Sequence, residues 1–377
     1  DVCSSDLASQ HGAVRIVVVA ALDRLAGGNY TSGTLAHRRP VVVRSTDVEY
    51  RPFGKTGMDV SAIGFGCWEM SGGYGSFDKA EIIAAANRAI DVGINCFDTA
   101  EDYGKGKSED VLFEAVGHRR DEIILVTKFG IGYKNDRPRG RDAGREMAHA
   151  AMDRSLKRLG TDYVDVFLVH WPDRATPFDE TMLALDEIVQ AGKARAIGLS
   201  NFTLDEIQRC MAVRRVDVLQ YGYNMFDRRM SQEIFGYAEE HEIGMMTYGS
   251  LAYGLLAGAF DEDTTFEQND WRRGGGGGFS LRLFADDVFR RNLKVADGVK
   301  EVADRLGKSL PELALNWTLS HPAVSTGLVG ARRVTEVDAN MGALGWKLSD
   351  DDRAAIDRVF DQFEVNTAPN KWVESVD

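Results

Sequence analysis

The stretch VDVFLVH (164–170), followed by FDETMLALDEIVQA (178–191) and RAIGLSN (195–201), decides the fold. The first and third runs are short and apolar, which is typical of buried strands. The run between them has the apolar periodicity of an amphipathic helix. A strand, a helix and a second strand in this order predict a right-handed βαβ unit and a parallel sheet.

The same alternation extends from Glu49 to the C-terminus. Strands are predicted at 62–66, 95–98, 123–127, 164–169, 195–199, 218–220, 244–247 and 325–329. Helices are predicted at 79–92, 109–116, 144–159, 178–191, 204–212, 231–242, 292–320, 334–344 and 349–360, with 292–320 broken into two helices around GKSLPE. Eight such units fit an α/β fold of the (β/α)8 TIM-barrel type, with extra helices at the C-terminus.

An open, doubly wound sheet is the competing architecture. It normally carries a GxGxxG turn after its first strand. Here the first strand runs into GFGCWEMSGG (64–73), which is rich in glycine but lacks that spacing. The sequence therefore favours the barrel. Before this strand, EYRPFG (49–54), KTG and MDVSAIGFG predict a hairpin with a glycine turn.

Composition and charge exclude several classes of protein. The chain has 377 residues, 44% apolar and 27% charged, as in an ordinary globular protein. A net charge of −13 argues against nucleic acid or a membrane as partner. The longest early apolar run, Ile16–Leu22, is far shorter than the ~20 residues of a membrane span. Four irregularly spaced cysteines, Cys3, Cys67, Cys96 and Cys210, predict no disulfide framework and no zinc site, and favour a cytoplasmic protein.

Residues 1 to about 47 differ from the rest of the chain. They have no clear period and no turn pattern, and a sequencing-adapter sequence encodes the opening DVCSSDL. We interpret them as an artefactual leader, the alternative being a genuine disordered extension. The barrel domain is accordingly predicted at 48–377.

One insertion predicts a loop that covers the barrel mouth. The segment DEDTTFEQNDWRRGGGGGFS (261–280) contains five consecutive glycines, which form neither a stable helix nor a strand. Long loops in compact barrels are often lids. A solvated tether is the alternative for the glycines, and it explains the adjacent DWRR less well.

Polar side chains stand where the predicted strands end, and in a TIM barrel the strand ends form the active site. Asp98 ends the second strand, and Tyr103 follows it in the loop TAEDYG. Lys128 and His170 end the third and fourth strands. Each has a structural explanation by itself, such as a helix cap or a satisfied histidine. Because the barrel brings all four to one rim, we expect them to act together.

These four residues suit proton transfer to a carbonyl oxygen. A free tyrosine has a pKa of about 10, and a nearby protonated lysine is expected to lower it. Tyr103 would be the general acid, Lys128 would tune it, and Asp98 would hold Lys128 in place. His170 would donate a hydrogen bond to the substrate oxygen.

The hydride must then come from a cofactor, because no metal cluster or redox cysteine pair is evident. Ser200, Asn201 and Gln220, at the ends of the fifth and sixth strands, offer partners for a carboxamide. Tyr248, at the end of the seventh, offers a flat face for stacking. These are the needs of a nicotinamide.

At this point the sequence closely resembles the aldo-keto reductase family. The resemblance rests on GFGCW, FDTAEDYG, SED, VTKFG, SLKRLGTDYVDVFLVHWPD, ETMLALDEIVQAGKARAIGLSNF, LQYGYN, GLLAG and GARRVTEVDANMGAL, in family order. It covers the chain from about Glu49 onward. It is strongest toward the bacterial and potassium-channel-β-like branches, which share the DWR loop and the GAR segment.

The resemblance implies an NADP(H)-dependent reductase on a (β/α)8 barrel whose base is closed by a hairpin. It implies that Asp98, Tyr103, Lys128 and His170 are the catalytic tetrad. Besides Ser200, Asn201, Gln220 and Tyr248, it implies cofactor contacts from Cys67, Trp68, Gly249, Ser250, Leu251, Arg272, Gly330, Arg332, Arg333, Glu336 and Asn340. Ser250 and Leu251 would touch the pyrophosphate, and the residues from Gly330 onward would lie along the adenosine.

Three departures from the family pattern bear on the cofactor. Gly249 and Ser250 stand where many relatives have serine and proline, and Ala259 replaces a lysine. The Glu336 carboxylate would repel a 2′-phosphate, although Arg332 and Arg333 could compensate through bidentate contacts. NADPH is the predicted cofactor, and NADH is the alternative.

Two other functions compete with a reductase. The first is a cofactor-sensing binding subunit with little turnover. The second, a metal-dependent hydrolase, is disfavoured because the seven histidines show no paired ligand spacing. Trp68, Trp171, Phe226 and the loop 259–285 are expected to line the entrance, which suits aldehydes, ketones or sugars, with alcohol or aldose oxidation as the reverse reaction. The sequence carries no signal for the oligomeric state.

Overall fold

A computed structural model describes residues 48–134, 137–275 and 281–368. The predicted leader, residues 1 to about 47, lies outside the described residues. The strands in the described part are β1 (Tyr50–Pro52), β2 (Asp59–Ser61), β3 (Ile63–Gly66), β4 (Cys96–Asp98), β5 (Ile124–Phe129), β6 (Ile131–Lys134), β7 (Arg137–Arg141), β8 (Val164–Val169), β9 (Ala194–Ser200), β10 (Val218–Gly222), β11 (Gly244–Tyr248) and β12 (Thr326–Val329).

The helices of the same part are α1 (Lys79–Asp91), α2 (Lys107–Val116), α3 (Arg145–Leu159), α4 (Phe178–Gln190), α5 (Leu204–Val213), α6 (Ile234–Glu240), α7 (Asp286–Arg305), α8 (Leu310–Leu319), α9 (Val334–Met341) and α10 (Asp350–Gln362). α7 and α8 are the two predicted helices of 292–320, and α7 begins earlier than predicted. Ser309 caps α8 through a reciprocal bond with Glu312, which explains the break at GKSLPE.

The eight parallel strands close into a barrel in the order β3-β4-β5-β8-β9-β10-β11-β12, with β12 pairing back to β3. Helices connect the strands on the outside. α10 is an additional C-terminal helix, and it packs against α7, which lies between β11 and β12 in the chain. The predicted (β/α)8 TIM barrel is therefore confirmed.

Two hairpins lie outside the barrel. β1 and β2 pair antiparallel, and Phe53 between them packs on the backbone of Gly244, where β11 begins. Phe53, Met58 and Val60 thus join the buried residues of the barrel interior and close its N-terminal end. The second hairpin, β6–β7, follows β5 directly and was not among the predicted strands.

The alternation of side chains along each strand determines which residues reach the mouth of the barrel. Successive residues of a strand point to opposite faces. Ile124 and Val126 of β5, and Val166 and Leu168 of β8, pack inside the barrel. The next residue of the inner row of β5 is therefore Lys128. In the same way, the inward-facing row of each of four other strands continues to one residue at the mouth: Asp98 for β4, His170 for β8, Gln220 for β10 and Tyr248 for β11.

No helix among the described residues has both the length and the apolar character required to cross a membrane. Within the same residues, no group of three or more histidine, cysteine, aspartate or glutamate side chains is arranged to hold a metal ion.

Candidate active site

Lys128 connects two of the predicted catalytic residues. Its Nζ donates to Oδ2 of Asp98 at 2.7 Å, to the carbonyl oxygen of Thr99 at 2.8 Å and to the hydroxyl oxygen of Tyr103 at 3.1 Å. Its side chain is fully buried. The loop after β4 turns back through Tyr103 N, which donates to Ala100 O. This turn brings the phenol over the lysine.

Burial dominates the protonation of this cluster. It lowers the pKa of Lys128 and raises the pKa of Asp98, while the attraction between the two charges opposes both shifts. Burial, and then the Asp98 carboxylate, raise the pKa of Tyr103 well above its usual value. Desolvation of the buried phenol thus acts against the lowering of the Tyr103 pKa that is predicted from the nearby Lys128. The phenol is protonated at neutral pH.

His170 completes the group at the mouth of the barrel. Its ring lies edge-on to the Tyr103 ring, with 5.5 Å between the centroids. Burial and the nearby Lys128 lower the pKa of His170 well below its usual value, so the imidazole is neutral at pH 7. Its Nδ1 is buried and has no hydrogen-bond partner among the described residues.

The side chain of Asn201 forms hydrogen bonds with three other residues at the strand ends. The residue adopts a left-handed conformation with φ of 68°, which asparagine tolerates better than most residues. Its Nδ2 donates to the carbonyl oxygen of His170 and to Oγ of Ser200, both at 3.0 Å, and its Oδ1 accepts from the Tyr248 hydroxyl at 2.8 Å. The amide predicted to bind a carboxamide is thus bonded to the protein itself.

Ser200 and Gln220 also have protein partners. Ser200 is completely buried, and its hydroxyl donates to Gln220 O at 3.0 Å; it does not line the cavity that contains the other site residues. The Gln220 amide lines that cavity and donates to Oδ1 of Asp98 at 2.8 Å. Gln220 therefore contacts the tetrad directly, which its predicted role did not include.

A cavity of about 1100 Å³ extends from the tetrad along the barrel mouth to α9. Tyr248 lines it, and its ring packs on Gly222, where an added Cβ would lie 3.3 Å from the ring. Of the predicted residues, the cavity is lined by Cys67, Trp68, Asp98, Tyr103, His170, Asn201, Gln220, Tyr248, Gly249, Ser250, Leu251, Arg272, Gly330, Arg332, Glu336 and Asn340.

At the far end of the cavity, Arg332 and Arg333 point in different directions. Arg332 lines the cavity, and its guanidinium donates to the carbonyl oxygens of Tyr74 at 2.8 Å and Ser76 at 3.2 Å. Its backbone N–H donates to the Glu336 carboxylate at 2.8 Å. Arg333 is exposed and does not line the cavity; it pairs with Glu81 at 3.1 Å and lies 3.9 Å from the Glu336 carboxylate.

Residues 259–275 of the predicted entrance loop form one wall of the cavity through Ala259, Phe260, Trp271 and Arg272; residues 276–280, with the last three of the five glycines, lie outside the described residues. Trp271 N donates to Gly73 O at 3.2 Å, which ties the loop to the segment after β3. Trp171 also lines the cavity. Phe226, predicted at the entrance, is instead buried against Phe360 with ring centroids 4.9 Å apart.

Comparison with known proteins identifies the family. The sequence model described as the aldo/keto reductase family matches residues 62–361. The chain belongs to the aldo/keto reductase family. It is therefore an enzyme of the aldo-keto reductase type, and the predicted family is confirmed.

Three relatives span nearly the whole aldo-keto reductase domain. The chain is 36% identical to the aldo-keto reductase YhdN of Bacillus subtilis, over 83% of this chain and 94% of the relative. It is 33% identical to a probable voltage-gated potassium channel subunit beta of Arabidopsis thaliana, over 79% and 91%. Among solved structures, the glycerol dehydrogenase AKR11B4 of Gluconobacter oxydans superposes with a TM-score of 0.75, at 29% identity over 86% and 98%.

Enzymes of the aldo-keto reductase family use nicotinamide cofactors, and the cavity fits such a molecule. Its volume is slightly above the ~300–1,000 Å³ typical of small-molecule sites, as an extended dinucleotide requires. One end has the aromatic face of Tyr248 beside the tetrad. The other has the Arg332 side chain and the first turn of α9, whose backbone N–H groups favour an anion.

Several residues of this aldo-keto reductase cavity were missed from the sequence. Glu69, Tyr74, Asp102 and Arg141 all line it. Glu69 follows Trp68 in sequence, and Asp102 precedes Tyr103. Their position next to predicted site residues could have indicated that they line the cavity. Arg141 ends β7, in a hairpin without a hydrophobic alternation that could have predicted it.

Proposed function

We propose that the enzyme reduces aldehydes or ketones with NADPH, and that the reverse reaction oxidises the corresponding alcohol or aldose. The observation that carries this proposal is the position of Lys128. Its ammonium lies within hydrogen-bond distance of both the Asp98 carboxylate and the Tyr103 hydroxyl. A buried cation beside a buried phenol suits a step in which the phenol gives up its proton.

In this proposal Tyr103 is the general acid. It starts protonated, because burial raises its pKa, and it transfers its proton to the carbonyl oxygen of the substrate. The phenolate that remains accepts from Lys128 Nζ, 3.1 Å away. Asp98 holds the ammonium group in position. The phenolate left by the proton transfer is thus stabilised by a charge that is already in place and needs no rearrangement of solvent.

His170 is proposed to orient the carbonyl oxygen. A neutral imidazole carries a single N–H, and Nδ1 has no partner among the described residues. We infer the tautomer with the proton on Nε2, which would donate to the substrate oxygen beside Tyr103. The ring contact with Tyr103 supports a shared substrate position for the two groups.

Residues along the cavity would hold the cofactor. Tyr248 would stack on the nicotinamide, Ser250 and Leu251 would contact the pyrophosphate, and Arg332 would bind the 2′-phosphate of NADPH. When bound, the cofactor would supply the hydride for the carbonyl carbon. Arg332 supports NADPH as the cofactor, whereas Glu336 and the outward position of Arg333 keep NADH as the alternative.

Replacing the phenol tests the proposal. Tyr103→Phe removes only the proton donor, so kcat for an aldehyde such as 4-nitrobenzaldehyde should fall at least about a thousandfold, a combined loss of acid catalysis and orientation. The dissociation constant of NADPH, measured by fluorescence quenching, should stay within about twofold. Tyr237→Phe on α6, away from the residues that line the cavity, is the matched control. Retained turnover in Tyr103→Phe would show that another group delivers the proton.

The similarity to a channel subunit beta favours a second candidate, a subunit that senses the nicotinamide cofactor with little turnover. Steady-state turnover distinguishes the two. An enzyme consumes many equivalents of NADPH with an aldehyde panel, whereas a sensor binds NADPH and completes about one turnover.

A further inference from the structure

Two charged side chains at the catalytic end of the cavity have no part in the proposed proton transfer. They are Arg141 and Asp102, which line the cavity together with Tyr103 and His170. Asp102 directly precedes Tyr103 in sequence. The two charges have opposite signs: the Arg141 cation favours an anionic substrate, and the Asp102 carboxylate favours a cationic one.

The backbone fixes Arg141 next to the tetrad. Arg141 pairs with Ile131 across the β6–β7 hairpin, and the following residue, Asp142, donates through its N–H to Gly130 O at 3.1 Å. Gly130 is two residues beyond Lys128 in the chain. Arg141 therefore lies directly above the end of β5, on the rim where the substrate carbonyl would be.

The guanidinium group of Arg141 has a defined position. It lies over the indole of Trp171, 5.2 Å from the ring centroid, and its NH1 donates to Pro172 O at 3.2 Å. Trp171 and Pro172 directly follow His170. The segment 170–172 carries both the imidazole of His170 and the two residues that contact Arg141. The distance between the imidazole and the guanidinium is therefore fixed by this short stretch of backbone.

The surroundings leave this cation partly desolvated. Burial, and then the neighbouring Arg174, lower the pKa of Arg141. A guanidinium that has lost part of its water interacts strongly with an oxyanion, because the charge-assisted hydrogen bonds replace the missing hydration.

The carboxylates nearest to Arg141 have partners of their own. Asp173 accepts from Ala143 N, Ala175 N and the Thr176 hydroxyl at 2.6–3.1 Å. Glu206 pairs with Arg174 at 2.6 Å and accepts from Thr203 N in a capping box. These acids therefore hold the loop and helix ends around Arg141 in place.

We propose that Arg141 binds an oxyanion of the substrate, so that the enzyme favours aldehydes carrying a carboxylate or phosphate over neutral aldehydes of the same size. This inference rests on the proposed carbonyl reduction. Trp171 would contact the body of the substrate between its carbonyl and its anionic group. Asp102, whose carboxylate also lines the cavity, would weaken the preference by repelling the anion.

Matched substrate pairs test the proposal. The first pair is 4-carboxybenzaldehyde and 4-carbamoylbenzaldehyde, which differ in charge and hardly in shape. The second is glyceraldehyde 3-phosphate and glyceraldehyde, which tests phosphate. We expect kcat/KM to be at least about tenfold higher for the anionic member of one pair or both, and the pair with the larger ratio identifies the preferred oxyanion.

Two variants should change that ratio in opposite directions. Arg141→Met should bring the ratio close to one by raising KM far more for the anionic member than for the neutral member, and Arg141→Lys should keep part of the preference. Asp102→Asn should raise the ratio. Arg145→Met, which removes an exposed cation of α3, is the control. A wild-type ratio near one, or an equal loss for both members in Arg141→Met, would overturn the proposal.

A binding measurement tests the oxyanion site independently of turnover. Tryptophan fluorescence can follow the binding of the two product alcohols, 4-(hydroxymethyl)benzoate and 4-(hydroxymethyl)benzamide. We expect the benzoate to bind at least about tenfold more tightly to the wild type and equally to Arg141→Met. Equal affinities in the wild type would exclude the oxyanion site. A selective affinity without any reduction of aldehydes would instead contradict the proposed enzymatic function.

Discussion

The side-chain amide of Gln220 donates a hydrogen bond of 2.8 Å to Oδ1 of Asp98. The other oxygen, Oδ2, accepts from Lys128 at 2.7 Å. Both oxygens of this buried carboxylate are therefore hydrogen-bonded by side chains, and the bond from Gln220 favours the charged form of Asp98. Gln220 holds Asp98, and Asp98 holds Lys128 beside Tyr103. Gln220 thus contributes to the position of Lys128 through Asp98.

Replacing Gln220 separates this role from a direct contact with the cofactor. In Gln220→Leu, Asp98 loses one donor, so we expect kcat to fall about tenfold, in line with the ~1.5–3 kcal/mol of a hydrogen bond to a charged group. The dissociation constant of NADPH should change less than twofold. The surface variant Gln232→Leu is the control. A large loss of NADPH affinity with normal kcat would assign Gln220 to the carboxamide instead.

The two adjacent arginines before α9 should differ in their effect on cofactor choice. Arg332 lines the cavity, whereas Arg333 pairs with Glu81 outside it. We expect Arg332→Ala to weaken NADPH binding at least about tenfold, the loss of one charge-assisted contact, and to change NADH binding by less than threefold. Arg333→Ala should leave both affinities unchanged. Equal losses for NADPH and NADH in Arg332→Ala would mean that Arg332 does not recognise the 2′-phosphate.

The barrel and its tetrad could be predicted because local rules determine them. Buried parallel strands are apolar runs bounded by turns, so their ends could be located to within a few residues. Once a strand is located, its alternation determines that Lys128 continues the inner row of Ile124 and Val126. The meeting of four distant side chains follows from the closed barrel.

Side-chain partners could not be predicted in the same way. The amide of Asn201 can bind a ligand or the protein, and only the fold shows that Tyr248 and the His170 carbonyl lie within its reach. The outward direction of Arg333 likewise depends on Glu81, which is 252 residues away in the chain. The hairpin β6–β7 has neither apolar alternation nor a recognisable two-residue turn, so Arg141 was missed with it.

Arg272 should control the mobility of the loop that forms the cavity wall. Its guanidinium pairs with Asp270 at 2.5 Å and lies within 4.7–5.3 Å of the ring centroids of Tyr74, Phe260 and Phe266. Arg272→Met leaves the Asp270 carboxylate buried and without this cation, which is strongly destabilising locally. We expect hydrogen exchange of residues 259–275 to become at least about tenfold faster.

Two comparisons check that this effect is local. The exposed neighbour Arg273, changed to methionine, should leave the exchange of residues 259–275 unchanged, and strand β8 should exchange at the wild-type rate in both variants. Faster exchange throughout the barrel would indicate global destabilisation and would remove the specific role of Arg272.

Glu69 should make the stability of the protein depend on pH near neutrality. Its carboxyl lines the cavity and packs on Gly330, where an added Cβ would lie 1.9 Å from Oε1. Burial raises the pKa of Glu69 from 4.5 to about 7, and Glu336 adds to the shift while Arg332 and Arg272 oppose it. The guanidinium N–H groups of Arg332 donate to the carbonyl oxygens of Tyr74 and Ser76, and Arg332 acts on Glu69 through its charge.

The sign of the effect follows from linkage between protonation and folding. A carboxyl whose pKa is raised in the folded state binds its proton more tightly there, so the stabilisation is fully present below the unfolded-state pKa and is lost as pH rises toward 7. Glu69→Gln cannot ionise. We expect its free energy of unfolding to match the wild type near pH 5 and to exceed it at pH 8 by on the order of 1–2 kcal/mol, allowing for partial solvent screening.

Urea unfolding followed by tryptophan fluorescence at pH 5 and pH 8 measures this difference, because the shift of the midpoint at constant slope reports stability. Glu301→Gln, an exposed carboxyl on α7, is the matched control and should show no pH-dependent difference from the wild type. The difference in the free energy of unfolding between Glu69→Gln and the wild type could instead be the same at pH 5 and pH 8. Ionisation of the Glu69 carboxyl at pH 8 would then not destabilise the folded protein. The cavity end near Gly330 would then have to supply a cation or water to Glu69, which would also make it a more favourable environment for a cofactor phosphate.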